Sequence, residues 1–335
     1  MALTLEEAKV GYADKVEQNV IDEFRRSSIL LDKLTFDDTI SPTGGSNLVY
    51  GYQRLETPST ASDVRFNAEY SPNEAKRTKC TASPVILGGS FQIDRVIAQT
   101  SGAINEMDFQ IKEKTKAGAN YFHNLVINGT SASSGTGYVP NTFDGLKKIL
   151  TGKSTEMTTD IDISTSALLD SNYNALLDEL DTFIALLAAK PDVLMMNSKM
   201  LTKVKSAARR AGYYDRNKDD FGRTVETYNG IILMDAGQYY NGSTTEDVVS
   251  TSTPSSDAYG TTDIYAAKLG LDAFHGISVD GSKMLKTYLP DLQAPGAVKT
   301  GEVELIAGAV LKNSKMAGVL KGIKLLGKNS LRKER

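Results

Sequence analysis

Gly88-Gly89-Ser90-Phe91-Gln92-Ile93-Asp94-Arg95-Val96, followed by the stretch from Gly102 to Ile127, decides how the rest of the chain is read. Apolar and polar residues alternate from Ser90 to Val96, which lays one face of an extended strand against a core. From Gly102 onward the period changes. Ile104, Met107, Ile111, Gly118, Phe122 and Leu125 share one helical face, with Lys112, Glu113, Lys114 and Lys116 largely elsewhere. Asn128-Gly129 predicts a left-handed cap closing this helix.

Upstream, Leu48-Val49-Tyr50-Gly51-Tyr52 has strand composition. Between it and the first strand runs a long polar stretch, Arg54 to Ala82, holding Pro58 and Pro72 and few large apolar side chains. A connection of that length inside a compact domain is usually functional, and a two-stranded arm reaching onto another subunit accounts for it. The chain opens with Leu5, Ala8, Tyr12, Val16, Val20 and Phe24 at spacings of three and four, and Thr4 with Glu7 makes a capping box. A second apolar patch, Ile29-Leu30-Leu31, follows the Ser27-Ser28 break.

Downstream, Leu169, Tyr173, Leu176, Leu180, Phe183 and Leu187 form a helical stripe stopped by Pro191. The apolar strand Asp192–Met196 follows, then a helix with Ser198 as its expected N-cap. Thr224–Tyr228 and Ile231–Met234 flank Asn229-Gly230, a strong hairpin signal. Residues 241–262 are rich in Ser, Thr and Gly and are expected to form a mobile loop. Strands return at Asp263–Lys268, His275–Val279 and Glu302–Leu311.

Composition narrows the class. The chain has 335 residues with 38 basic and 41 acidic side chains and 40% apolar residues, values of an ordinary globular protein. One cysteine, Cys80, excludes an intrachain disulfide, and two histidines, His123 and His275, exclude a zinc triad of imidazoles. Met1–Glu7 lacks the basic and apolar regions of a secretory signal, and no apolar run reaches membrane-span length, so a soluble, cytosol-made protein is expected. Lys312 to Arg335 carries eight basic residues and one acid, Glu334, which leaves the preceding 311 residues at −10. A basic tail on an acidic body faces a polyanion or is a solvated end.

Catalytic patterns fail one by one. Gly152-Lys153-Ser154 resembles the end of a phosphate-binding loop, but Lys147 occupies the position of its first glycine. There is no His-Glu-x-x-His and no Gly-x-Ser-x-Gly, and both histidines are expected to be structural. No catalytic residue, metal or cofactor is expected.

The run Gly88–Val96 leading into the long helix and Asn124–Gly129, the opening Leu5–Lys9 and Asp22–Ser28, and the later Lys190–Asn197 strand before a helix together resemble tailed-bacteriophage major capsid proteins of the Hong Kong 97 type. The resemblance spans essentially the whole chain and rests on the order of elements. It implies an α+β fold with an N-terminal arm (1–46), an extended β-hairpin (47–84) and a peripheral domain with a long spine helix (85–142). An axial domain (143–283) follows, then a return strand of the peripheral domain with a basic C-terminal tail (284–335).

The resemblance further implies self-assembly into hexamers and pentamers of an icosahedral shell around double-stranded DNA. Val16, Val20, Phe24, Ile29, Leu30, Arg54, Glu56, Arg65, Glu69, Lys76 and Arg77 would make inter-subunit contacts, and Lys321, Lys324, Lys328 and Arg332 would face DNA or a scaffold. The implied partners are copies of the chain, a separate scaffolding protein, a portal and non-specifically bound DNA, with no membrane. The implied location is the virion, after assembly in the host bacterial cytoplasm. Two other readings stay open: an encapsulin-type compartment shell enclosing cargo enzymes, and a monomeric hydrolase or binding protein.

Overall fold

The structure is a computed structural model that describes residues 29–38, 49–57, 59–96, 106–131, 142–212, 215–218, 224–252, 259–279 and 285–327. The expected N-terminal helix, with Val16, Val20 and Phe24, lies outside the described residues, as do Lys328 and Arg332.

Two sheets organise the chain. The first is built on β15 (Val298–Leu311), the longest strand described. Its first ten residues pair antiparallel with β4 (Val85–Asp94), and β14 (Leu285–Tyr288) lies on its other side. Its last four pair with β13 (Phe274–Ser278), which carries β1 (Phe36–Asp38) in parallel at the edge. The long helix α2 (Glu106–Asn128) lies against β4 and β15 and buries Ile111, Phe122, Leu125 and Val126. The strand and helix expected from residues 90–127 are therefore present, and the strand starts five residues earlier. The short helix α1 (Ile29–Lys33) contributes Leu30 and Leu31 to the same core.

The second sheet has seven strands in the order β5 (Glu156–Thr158), β16 (Ala317–Leu326), β12 (Gly260–Ala267), β6 (Val193–Met196), β9 (Ile231–Asp235), β8 (Thr224–Tyr228), β7 (Asp215–Lys218). Helices α4 (Ser166–Ala185) and α5 (Ser198–Ala211) cover one face with Leu169, Leu176, Leu180, Phe183, Met200 and Val204. The other face joins the core under α2 and α3 (Leu146–Leu150). β6 shows why its sequence is a continuous apolar run. Val193 and Met195 enter one core while Leu194 and Met196 enter the other, so both faces of the strand are buried.

Two chain crossings join the sheets, β12 to β13 and β15 to β16. They are bonded to one another, Lys268 N donating to Met316 O at 2.9 Å and Lys312 N to Ala273 O at 3.1 Å.

Several expectations are corrected. The chain after residue 284 does not stay with the first sheet: β16 returns to the second one, between β12 and β5. The N-cap of α5 is Asn197, not Ser198, because Asn197 has the extended backbone of a cap and its side-chain oxygen accepts from Met200 N at 2.8 Å. The stretch 241–262 contains β11 (Thr245–Asp247), paired with β10 (Gln238–Tyr240), and two buried anchors, Val248 and Val249. These anchors are held by Asn128 Nδ2 donating to Val248 O and Asn197 Nδ2 to Val249 O.

The Asn229-Gly230 hairpin is present, with both residues at positive φ as a tight turn requires. Gly129 follows α2 without positive φ. It is glycine because of a close approach: a Cβ there would stand 2.5 Å from both Leu125 O and Phe143 O. Gly145 N donates to Gly129 O at 2.8 Å across that contact.

Candidate functional site: an exposed hairpin and its root

Among the described residues β2 (Tyr50–Thr57) and β3 (Lys76–Ala82) pair only with each other, Tyr50 opposite Ala82 and Arg54 opposite Thr78. Among the described side chains neither strand buries one fully, which fits a sequence poor in large apolar residues. Between them residues 59–75 form a tip held by Asn73 Nδ2 donating to Thr60 Oγ1 at 2.6 Å and Ala68 N to Arg65 O at 3.1 Å. Phe66 is 103% exposed and Tyr70 72%. Exposed aromatic side chains grouped on one loop mark an interaction surface.

The ribbon is fastened at its root. The Tyr50 hydroxyl donates to Asp37 Oδ2 at 2.6 Å, linking β2 to β1. The Tyr50 ring meets His275 edge-on at 5.8 Å between centroids, and the Lys312 ammonium lies 5.6 Å from the same ring centre. Arg54 Nη2 donates to Leu311 O at 2.6 Å and to Tyr52 Oη at 3.2 Å, and its guanidinium stacks over the Tyr52 ring at 5.7 Å. Burial first, then the bond to Asp37, pushes the Tyr50 phenol far above its ordinary range, so it remains a donor. Burial and then the Lys312 charge hold His275 below the usual histidine value, against the pull of Asp37.

Arg65, Glu69, Lys76 and Arg77 are all exposed on the ribbon and make no ion pair among the described residues. Arg77 Nη1 donates weakly to Gln53 Oε1 at 3.5 Å. The backbone of Glu56 lies in β2 and its side chain, like that of Ile29, is outside the described residues. Arg54 stands apart from the other ribbon charges because it is anchored within its own subunit.

Three expected contact residues move inward. Leu30 is 1% exposed inside the subunit's own core, because α1 packs beneath the first sheet, so it presents no open face. Lys321 and Lys324 belong to β16 rather than to a tail. Lys321 Nζ pairs with Glu156 Oε1 at 2.5 Å; Lys324 Nζ pairs with Asp160 Oδ1 at 2.7 Å and lies over the Tyr259 ring. Charge density along the sequence pointed outward, whereas β16, whose register shifts opposite Thr262–Ile264 beside Gly322 at positive φ, holds both lysines against carboxylates of the same subunit.

Sequence reading missed the root cluster of Asp37, Tyr50, His275 and Lys312. These residues come from four separate segments, and only strand pairing brings them together. Among the described residues no group of three or more His, Cys, Asp or Glu is placed to hold a metal ion, and no helix is long and apolar enough to cross a membrane.

Residues 80–232 match the family model of the SU10 major capsid protein. No curated protein is matched by the sequence. Among solved structures, the encapsulin SrpI of Synechococcus elongatus superposes with a TM-score of 0.57 at 11% identity, over 88% of this chain and 87% of that one. The Mycobacterium phage Ogopogo structure gives 0.54 at 14% identity, over 88% and 91%. The virus-like particle of Pyrococcus furiosus gives 0.52 at 11% identity, over 92% and 99%.

The architecture is thus the Hong Kong 97-type capsid fold. The match to the SU10 model runs from β3 to β9 and so takes in α2 and both helices that cover the second sheet.

Proposed function

We propose that copies of this chain associate into hexamers and pentamers of an icosahedral shell around double-stranded DNA, with the N-terminal arm and the β2–β3 ribbon lacing neighbours together. The observation that carries this is the ribbon: among the described residues, a two-stranded sheet with no third strand, and a tip whose Phe66 and Tyr70 project into solvent. Apolar burial at about 25 cal/mol per Å² drives the contact. Exposed charge pairs, worth only ~0–1 kcal/mol each, set register and choose partners. Summed over many subunits, modest contacts close a stable shell while each stays weak enough to correct errors. A separate scaffolding protein, a portal, and assembly in the host bacterial cytoplasm complete this reading.

The test is deletion. Replacing residues 59–75 by an Asn-Gly turn, or removing residues 2–28, is expected to leave a folded subunit that forms no particles by negative-stain microscopy. The second cut stops before α1, because Leu30 and Leu31 are core residues. Normal particles from both variants would refute the lacing role. The competing reading is an encapsulin-type compartment, which the SrpI superposition supports at the level of fold. Particles purified from the native source distinguish the two: nuclease-protected DNA supports the phage shell, and an enclosed enzyme supports the compartment. A ~36 kDa species at all concentrations in light scattering would refute both.

A further inference from the structure

Two contiguous hollows of about 660 and 690 Å³ flank the ribbon where it meets the body, and both are lined by Arg54, Cys80 and Lys153. Their charge is one-sided. Arg54, Lys148, Lys153, Lys312 and Lys315 face only Asp144 and Asp272, and Asp144 is already paired with Lys148 at 2.8 Å. Lys153 and Lys315 are exposed and make no ion pair among the described residues. The Arg54 Nε–H is buried and has no acceptor among the described residues. An apolar wall of Phe143, Ile149 and Val310 stands beside the cations.

The tip has the opposite character. Within residues 59–75, Asp63, Glu69 and Glu74 outnumber the single cation Arg65, and Phe66 and Tyr70 project fully or largely into solvent. Carboxylates beside aromatic rings match cations beside an apolar wall. A chain's own tip does not fill its own root. β2 and β3 are extended and antiparallel, so Thr57 already lies about 10 Å beyond Arg54 at the strand rise, and no residue of 59–75 lines either hollow.

We propose that the basic cleft at the hairpin root receives the acidic, aromatic tip of the hairpin of a second copy, a contact that rests on the shell reading above and assigns it a donor and an acceptor surface. The interface is heterologous, tip to root. Such a contact repeats from copy to copy and generates a closed ring when the rotation closes. One geometry therefore serves rings of five and of six if the ribbon flexes by a small angle at its root. Each ionic pair contributes little where solvent reaches it, so specificity comes from several pairs and the seating of Phe66 together.

Two experiments on the full-length chain test this. In the first, Glu69→Lys with Glu74→Lys on the tip, and Lys153→Glu with Lys315→Glu in the cleft, are each expected to cut particle yield about tenfold. The four substitutions combined are expected to restore it to within about twofold of the unmodified chain. Wild-type yield from either pair alone, or a combined variant no better than the pairs, would overturn the contact.

In the second, Cys80, the chain's one cysteine, serves as a reporter in the cleft. Phe66→Cys, Glu69→Cys and Tyr70→Cys are made singly, and assembled particles are mildly oxidised. A ladder of linked copies on a non-reducing gel, lost on adding Cys80→Ser, is the expected result for at least one position. Particles that give only monomer at all three positions overturn the proposal. If the unmodified chain forms no particles, the shell reading fails first and this contact with it.

Discussion

The Tyr50 hydroxyl donates to Asp37 Oδ2 at 2.6 Å and so ties the first residue of the exposed ribbon to the edge strand β1. Hydrogen bonds to charged groups contribute about 1.5–3 kcal/mol, less where water competes. Tyr50→Phe keeps the edge contact with His275 and loses only this bond, so it is expected to lower stability by about 1 kcal/mol and to speed protease cleavage within residues 59–75. Tyr50→Ala loses the ring contact as well and is expected to cost more in urea unfolding. Equal urea midpoints for all three chains would show that the root does not fasten the ribbon.

Asn197 serves four partners at once, the weakest of them Thr251 Oγ1 at 3.4 Å. Its oxygen caps α5, while its amide donates to Val249 O at 3.1 Å and Thr262 Oγ1 at 2.8 Å. Asn197→Ala removes a cap and leaves buried acceptors unpaired, an expected loss of about 2–4 kcal/mol. Asn197→Asp keeps the cap but loses both donors and buries a charge, so it is not expected to rescue. Urea midpoints of the two variants decide this.

His123 is buried in α2, and burial holds it down to about 4, below its ordinary 6.5. The unfolded chain takes up this proton near 6.5 and the folded chain only near 4. The stability this group contributes is therefore complete above about pH 6.5 and is lost as pH falls toward 4, by about 3 kcal/mol. His275 is shifted in the same direction and adds to the slope. His123→Gln is expected to flatten the stability profile between pH 6.5 and 4 relative to the parent. Identical profiles in urea unfolding would contradict it.

Gly318 begins the crowded part of β16: a Cβ there would stand 2.9 Å from both Thr155 O and the Phe183 ring. Phe183 fills that space and is wholly buried. Phe183→Ala is expected to cost about 3–5 kcal/mol through the cavity it leaves, and Gly318→Ala about 1–3 kcal/mol through overpacking. If combining them costs less than the sum of the two, the contact between these positions is confirmed by the cycle.

Lys324 is paired with Asp160 and packed on Tyr259. Lys324→Gln is therefore expected to leave nucleic-acid retention by assembled particles unchanged at 0.1 M salt and to reduce thermal stability slightly. A marked, salt-dependent loss of retained DNA would return this lysine to a phosphate-facing role.

Much of the element order was legible because it is written in short-range periodicity. The alternation at Ser90–Val96, the stripe of α2, the Leu169–Leu187 helix and the Asn229-Gly230 turn each follow from residues close in sequence. The errors fall where local signals are shared by different structures. Asn197 and Ser198 are both good caps, and only the backbone conformation chose between them. Gly129 has the residue type of a left-handed cap, yet close approach to Phe143 O is what requires it. The Ser/Thr/Gly-rich run after Asn241 looked unanchored because two valines suffice to pin it once Asn128 and Asn197 bond their carbonyls.

By itself, the amino-acid pattern determined the strand at Ser90–Asp94, the helices α2, α4 and α5, the buried strand β6 and the β8–β9 hairpin, and that residues 54–82 lack the apolar side chains for a core of their own. Tertiary structure alone decided that β16 returns to the seven-stranded sheet, that Leu30 is interior, that Lys321 and Lys324 are paired, and that Asp37, Tyr50, His275 and Lys312 meet. The reason is physical. Helical and strand periods are properties of neighbouring residues, whereas backbone hydrogen bonds across a sheet are alike for any two strands. Which strands pair is fixed by the shapes and charges of side chains hundreds of positions apart, which come together only when the chain folds.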